Sequence, residues 1–326
     1  IKRKLKFSSA QIIMLGFAGL ILVGALLLML PISSNDGTVT PFLDCLFTAT
    51  SAGCVTGLIV HDTASHWSVF GQSVLLILIQ IGGMGVVTVA VAITKISGKK
   101  ISLMQRSTMQ DAVSAHQVGG IVRFTGFILK GILIIELVGA LMLMPAFIRD
   151  FGFKGIWLAF FHSISAFCNA GMDIIGENSL MDYAENPIIN AVTCALIILG
   201  GIGFPILVNF KNVIFYYIRY AFARLIRHKR VEKYPHLTRL NTKIAIRATI
   251  ALLIVGTAAM ALTEWNGAFA DMDIAGKLTH SFFTAVTPRT AGFNTADLTA
   301  MTGAGQAIII VLMLIGGSPG STAGGM

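Results

Sequence analysis

Hydrophobic residues along this chain fall into runs of two lengths, separated by polar residues in a fixed order. Six runs are long enough to cross a bilayer: 10–30, 68–94, 125–148, 188–218, 244–262 and 304–326. A helix needs about 20 apolar residues to span the hydrocarbon core, whereas runs of roughly 10–14 form re-entrant or buried helices. Three shorter runs, 41–53, 156–168 and 275–287, lie between the members of each pair. The pattern is span, short helix, bend, span, three times over, and internal repeats of this kind decide an architecture. Each short run carries a Phe with a Gly ten positions later: Phe47 and Gly57, Phe161 and Gly171, Phe282 and Gly292.

Local signals sharpen the units. The first span ends at Pro31 and a polar loop. Thr40 then reads as an N-cap, with Pro41 at the first helical position and Asp44 in the first turn. This short helix breaks at Gly53. The second span of each unit holds a glycine cluster: 82–85, 200–203 and 316–320. The first two suit close helix packing. The third is different. Gly316, Gly317, Ser318, Pro319, Gly320, Ser321, Thr322, Ala323, Gly324 and Gly325 cannot sustain a regular helix, because Pro319 removes a hydrogen bond and five Gly raise the entropy cost.

A short helix that enters the membrane and returns as extended chain implies a water-filled pathway, since unpaired backbone survives at membrane depth only against protein or water. The C-terminal end of such a helix carries partial negative charge and favours a cation. Gly at the bend accepts positive φ and lets successive carbonyls turn to one axis, and a ring of carbonyls replaces the hydration shell of K⁺. The candidate coordinating backbone is Val55, Thr56, Gly57 and Leu58; Asn169, Ala170, Gly171 and Met172; Thr290, Ala291, Gly292 and Phe293. Neutral residues at all three bends suit carbonyl coordination better than a carboxylate ring. Asp62, Asp173, Glu177 and Asp297 follow the bends and read either as acids that concentrate cations at an outer mouth or as ordinary solvated loop acids.

Composition agrees. The 326 residues are 55% hydrophobic and 12% charged, with mean hydropathy +0.80, too apolar for a water-soluble domain. The net charge of +9 is a matter of topology. Of 24 Lys and Arg, 20 fall in 2–6, 95–130 and 211–247, and 12 of the 15 acids fall in the alternate loops. The positive-inside rule puts the N-terminus and both basic connectors in the cytoplasm. The resulting division is unit 1 at 1–94, a connector at 95–123, unit 2 at 124–218, a connector at 219–243, and unit 3 at 244–326. The basic stretch 219–239 reads as topology rather than as a nucleic-acid surface. Lys2, Arg3 and Lys4 precede a run too long for a signal peptide and without a cleavage site, so a retained first span is expected. Cys45, Cys54, Cys168 and Cys194 show no metal or disulfide spacing.

These residues resemble the membrane subunits of the Ktr/Trk/HKT superfamily of potassium transporters. The matching motifs are the Val-Thr-Gly-Leu ending at Leu58, the Asn-Ala-Gly-Met-Asp ending at Asp173, the Thr-Ala-Gly-Phe-Asn-Thr ending at Thr295, and the Ile-Leu-Gly-Gly-Ile-Gly-Phe-Pro run at 198–205. The resemblance covers nearly the whole chain and, because unit 1 comes first, is closest to the KtrB type. It implies K⁺ as the transported ion, with Gly in each loop going with K⁺ preference and Na⁺ as a possible second ion. It implies that 316–325 is an intramembrane gate, that the subunit is a homodimer with one pore each, and that a cytosolic nucleotide-binding regulatory ring (RCK/KTN type) docks near 95–123 and 211–243. A bacterial cytoplasmic membrane is implied. The family has four units, so a fourth is expected beyond the present sequence. Without the resemblance, anionic lipid suits the basic segments equally well.

Other readings fit less well. Gly316 to Gly320 matches the G-x-S-x-G nucleophile elbow, but that motif needs a strand before it and a helix after it, so no enzyme is expected. His61 and His66 form no metal motif. Glu136 lies in mid-span, where an acid is costly; it is expected to face a neighbouring helix or a cavity as a structural group, outside the ion path. Arg289 is expected either to brace the third loop or to pair with an outer acid. The main alternative function is a secondary transporter with broken helices and a midplane binding site.

Overall fold

The computed structural model describes residues 8–85, 88–90, 121–176, 178–204, 206–209, 240–270 and 272–324. Most of both basic connectors, together with Glu177, Pro205 and Gly325, lies outside these residues. Ten α-helices are described: α1 (Ser9–Leu28), α2 (Phe42–Gly53), α3 (Thr63–His66), α4 (Val69–Met84), α5 (Ile121–Phe151), α6 (Lys154–Cys168), α7 (Pro187–Ile202), α8 (Leu240–Glu264), α9 (Ile274–Val286) and α10 (Gly303–Ile315). The short helices α2, α6 and α9 fall within a residue or two of the expected runs. Among the described residues no β-strand occurs.

The first helix of each unit is long: α1, α5 and α8 have 20, 31 and 25 residues and are apolar enough to cross a bilayer. The second is interrupted at its glycine cluster: α4, α7 and α10 have 16, 16 and 13 residues, and helical residues recur at 88–90 and 206–209. Each second helix ends at a Gly in a conformation that L side chains avoid: Gly85 at φ 80°, Gly203 at φ 100° and Gly316 at φ 58°. At their other ends, the side chains of Ser68, Asn186 and Thr302 accept from the backbone N–H groups of Gly71, Ile188 and Ile189, and Gly305.

The start of α2 differs from expectation. Its N-cap is Pro41, with no side-chain cap, while Asp44 does occupy the first turn. Thr40 instead uses its hydroxyl on His66 Nε2, 3.0 Å away. That bond ties the entry of α2 to the outer loop.

Within each unit the short helix packs against the long helix before it, α2 on α1, α6 on α5 and α9 on α8. The units join in series, with α4 on α6 and α7 on α8 and α9. The middle unit is therefore the most enclosed. Phe161 is fully buried, whereas its counterparts Phe47 and Phe282 are 45% and 37% exposed. Glycines set these contacts. A Cβ on Gly82 would strike the carbonyl of Gly53, and one on Gly200 would strike that of Phe167. Outward-facing residues such as Leu22, Val23, Leu26, Ile254, Val255 and Leu262 are exposed and apolar, as a bilayer requires. The protein is an integral membrane protein.

Candidate functional site: three converging loops

Each short helix ends in a tight, repeated turn. Val55, Asn169 and Thr290 all adopt positive φ (57°, 59° and 70°), and the Gly two residues later does the same: Gly57 at 81°, Gly171 at 66° and Gly292 at 88°. Left-handed backbone costs a non-glycine residue about 1–2 kcal/mol, and for a β-branched residue such as Val55 or Thr290 it is an outlier. The left-handed position recurs at the end of all three short helices, strained at Val55 and Thr290 and readily adopted by Asn169. Two left-handed residues flanking one ordinary residue turn the chain repeatedly within three peptides and keep it from forming either helix or strand.

The ends of α2, α6 and α9 hold these turns. Thr56 N donates to Ser51 O (2.9 Å), Ala170 N to Ser165 O (2.8 Å) and Ala291 N to Thr287 O (2.9 Å). The hydroxyl of Ser165 donates to Met172 O and that of Thr287 to Phe293 O, both at 2.6 Å. The carbonyls of Met172 and Phe293 are thus held back on their own helices, and those just before them are freer to face a ligand. Asn169 directs its amide nitrogen to Ala166 O (3.0 Å) and Ile197 O (3.2 Å), which fixes the second turn.

The three glycines meet. A Cβ on Gly57 would collide with the carbonyl oxygen of Ala170 and lie 3.6 Å from Gly171 Cα. One on Gly171 would collide with the oxygen of Ala291 and lie 2.9 Å from Gly292 Cα. Gly292 has more room, its nearest neighbour being Gly171 Cα at 3.4 Å. Loop 2 is mostly buried between the others, whereas Thr56, Leu58 and Gly292 are exposed. Loops 1 and 2 are thus brought together through Gly57 and Gly171, and loops 2 and 3 through Gly171 and Gly292.

The acids beyond the loops divide. Asp62 caps α3 by accepting from Ser65 N and Oγ (2.9 and 2.6 Å), and Asp297 accepts from Thr299 N and Oγ1 (2.8 and 2.7 Å). Both are used in local turns. Asp173 directly follows loop 2, and its Oδ1 is buried without a partner. Burial pushes its carboxyl up to about 6, against hydrogen bonds from Ser179 and from the Ile175 and Gly176 backbone, with Asp62 adding to the rise. Glu177 lies outside the described residues.

Segment 316–324 leaves α10 as irregular chain and folds back on unit 2. Ser318 N donates to Gly201 O (2.9 Å), Thr322 N to Gly200 O (3.3 Å) and Phe204 N to Gly320 O (2.9 Å). Thr322 Oγ1 donates to Phe167 O at 3.0 Å. The second glycine cluster thus does more than allow close packing; its bare carbonyls receive this loop. Arg289 points inward rather than to an outer acid. Its Nε donates to Gly316 O (3.3 Å) and its Nη2 to Thr249 Oγ1 (3.4 Å), joining loop 3 to the start of the irregular segment. Ser318 follows a helix instead of the strand a nucleophile elbow requires. Among the described residues no group of three metal-ligating side chains occurs.

Two buried carboxylates complete the surroundings. Glu136, on α5, accepts from Gln80 Nε2 at 3.0 and 3.1 Å and from Cys168 Sγ at 3.9 Å, directly behind the end of α6. Glu264 is fully buried and accepts from Thr302 N, Thr302 Oγ1 and Ala268 N. Sequence reasoning placed Glu264 among the loop acids. The signal for its burial was the pair of glycines, Gly267 and Gly305, that leave it space.

Repeated units, each with a long apolar helix, a short helix and a glycine turn, define a polytopic helical membrane protein in which the three turns adjoin. The model of the TrkH family, described as cation transport protein, matches residues 10–326, and the chain belongs to that family. It is 40% identical to the potassium/sodium uptake protein NtpJ of Enterococcus hirae, over 98% of this chain and 67% of that protein. It is 37% identical to the Ktr system potassium uptake protein B of Bacillus subtilis, over 98% of this chain and 68% of that one. The crystal structure of the potassium transporter TrkH from Vibrio parahaemolyticus shares the fold, with TM-score 0.68, 19% identity, and coverage of 99% of this chain and 60% of that one. The chain thus spans about two thirds of the length of these two relatives.

Proposed function

We propose that this chain forms three sides of a potassium-translocating pathway across a bacterial cytoplasmic membrane. The observation that carries the reading is the meeting of Gly57, Gly171 and Gly292, each two residues after a left-handed residue at the end of a re-entrant helix. Backbone carbonyls of Val55–Leu58, Asn169–Gly171 and Thr290–Gly292 replace water around a dehydrated cation, those of Met172 and Phe293 being taken by the Ser165 and Thr287 hydroxyls, and the negative ends of α2, α6 and α9 stabilise it. Each loop has a single Gly, so the set of sites is short and Na⁺ competes. Naming of the relatives as potassium or potassium/sodium uptake proteins supports the same ions.

Residues 316–325 act as the gate, the described part of which lies across the ends of α6 and α7. The unit boundaries inferred from sequence, the cytoplasmic N-terminus, a homodimer, and a nucleotide-binding regulatory ring on the basic connectors belong to the same proposal. The name Ktr system, borne by a relative, is in keeping with a multi-component assembly. No nucleotide site is assigned to this chain. Uptake of Rb⁺ or K⁺ into proteoliposomes holding the full-length protein tests the reading. Saturable flux inhibited weakly by Na⁺ is expected, and no cation flux above that of empty vesicles would refute it.

A further inference from the structure

The C-terminal turn of α6 leaves carbonyls without partners inside the helix, and three of them are accounted for differently. Ser165 O receives Ala170 N and Ala166 O receives Asn169 N, both within the turn that leads into loop 2. Phe167 O instead receives the hydroxyl of Thr322, from far along the chain. Gly200 makes this meeting possible: a Cβ there would collide with Phe167 O and lie 2.9 Å from Thr322 Oγ1. In unit 1 the corresponding carbonyl, Gly53 O, packs against Gly82, and α4 continues past it to Met84. The hydroxyl on Phe167 O is therefore an addition of the irregular segment.

We propose that Thr322 is the side-chain latch of the gate, holding the loop closed by its hydrogen bond to Phe167 O. This rests on the reading of 316–325 as a gate and goes beyond it by naming the closing contact. The other bonds between loop and unit 2 are backbone to backbone: Ser318 N to Gly201 O, Thr322 N to Gly200 O and Phe204 N to Gly320 O. They set the loop's position whatever its side chains. The Thr322 hydroxyl is the contact that a substitution removes without touching the backbone. It also occupies a pore-helix carbonyl. When the loop leaves, Phe167 O is uncovered at the negative end of α6, where it favours a cation. Opening the gate and exposing a polar wall are thereby one event.

The test is Rb⁺ uptake by full-length protein in proteoliposomes, comparing wild type with Thr322→Val, Thr322→Ala and Thr322→Ser. One hydrogen bond of ordinary net strength shifts a two-state ratio roughly two- to tenfold. Maximal flux is expected to rise by about that factor in Thr322→Val and Thr322→Ala and to stay at the wild-type level in Thr322→Ser. The half-saturating Rb⁺ concentration and the preference over Na⁺ are expected to remain unchanged, because the three filter turns are untouched. A purely structural role would lower flux instead of raising it. The latch is refuted if Val and Ala give wild-type or reduced flux, or if Ser behaves as Val does. Absence of flux from wild type refutes the proposed function itself, and the latch with it.

Discussion

Gln80 and Glu136 face each other at the junction of units 1 and 2, with the amide nitrogen 3.0 and 3.1 Å from the two carboxylate oxygens. Gln80 Oε1 is buried without a donor. Glu136→Gln supplies an N–H that this oxygen can accept, so the variant is expected to keep wild-type stability. Glu136→Leu leaves the Gln80 amide unpaired between helices and is expected to lose about 1–2 kcal/mol. Thermal unfolding in detergent distinguishes the two.

The loop glycines differ in how much room they have, and substitution is expected to rank them. Alanine at Gly57 or Gly171 meets a neighbouring loop's carbonyl oxygen as well as unfavourable φ. Alanine at Gly292 meets only ordinary contact and the cost of its φ, about 1–2 kcal/mol. Yield of monodisperse protein and melting temperature are expected to fall more for Gly57→Ala and Gly171→Ala than for Gly292→Ala.

Glu264 staples the end of α8 to the start of α10. Removing its carboxylate in Glu264→Ala leaves the backbone N–H groups of Thr302 and Ala268 without their acceptor. Each orphaned donor costs about 1–3 kcal/mol, so a loss of roughly 2–6 kcal/mol is expected for the two. Glu264→Gln keeps an acceptor oxygen and is expected to lose less, again by thermal unfolding.

On the proposed function, Asp173 gives the outer mouth of the pathway a pH dependence. Unfolded, its carboxyl releases its proton near 3.8; in the fold it keeps it up to about 6. The fold therefore binds the extra proton between these values, and this group's contribution to stability rises as pH falls through that window. Asp173 carries its negative charge only above about 6. The K⁺ concentration for half-maximal uptake is expected to rise as external pH drops from 7.5 to 5. Asp173→Asn is expected to flatten that response, which flux measurements at fixed internal pH will check.

Much of this architecture was legible in the residues because apolar run length and glycine placement report directly on helices in a membrane. The short helices ended where Gly53 and Cys168 suggested. The ends of the second helices were not legible, since Gly inside an apolar run serves equally as a packing surface or a terminator. Gly82 and Gly200 do the first and Gly85 and Gly203 the second. The gathering of the three loops was readable from their repetition, but not that Ser165 and Thr287 would occupy the carbonyls of Met172 and Phe293. Those are tertiary hydrogen bonds with no periodic signature. Thr40 illustrates the same point: its N-cap chemistry was plausible locally, and His66 claimed the hydroxyl.

The most direct test of the central claim is cation uptake by Gly292→Ser beside wild type, with K⁺ and Na⁺ in competition. Gly292 has space for a Cβ, so the variant is expected to fold while its turn and its carbonyl are altered. If the loops form a carbonyl filter, wild type prefers K⁺ and the variant loses that preference while still passing cations. K⁺ flux with the same preference in both proteins would contradict the account.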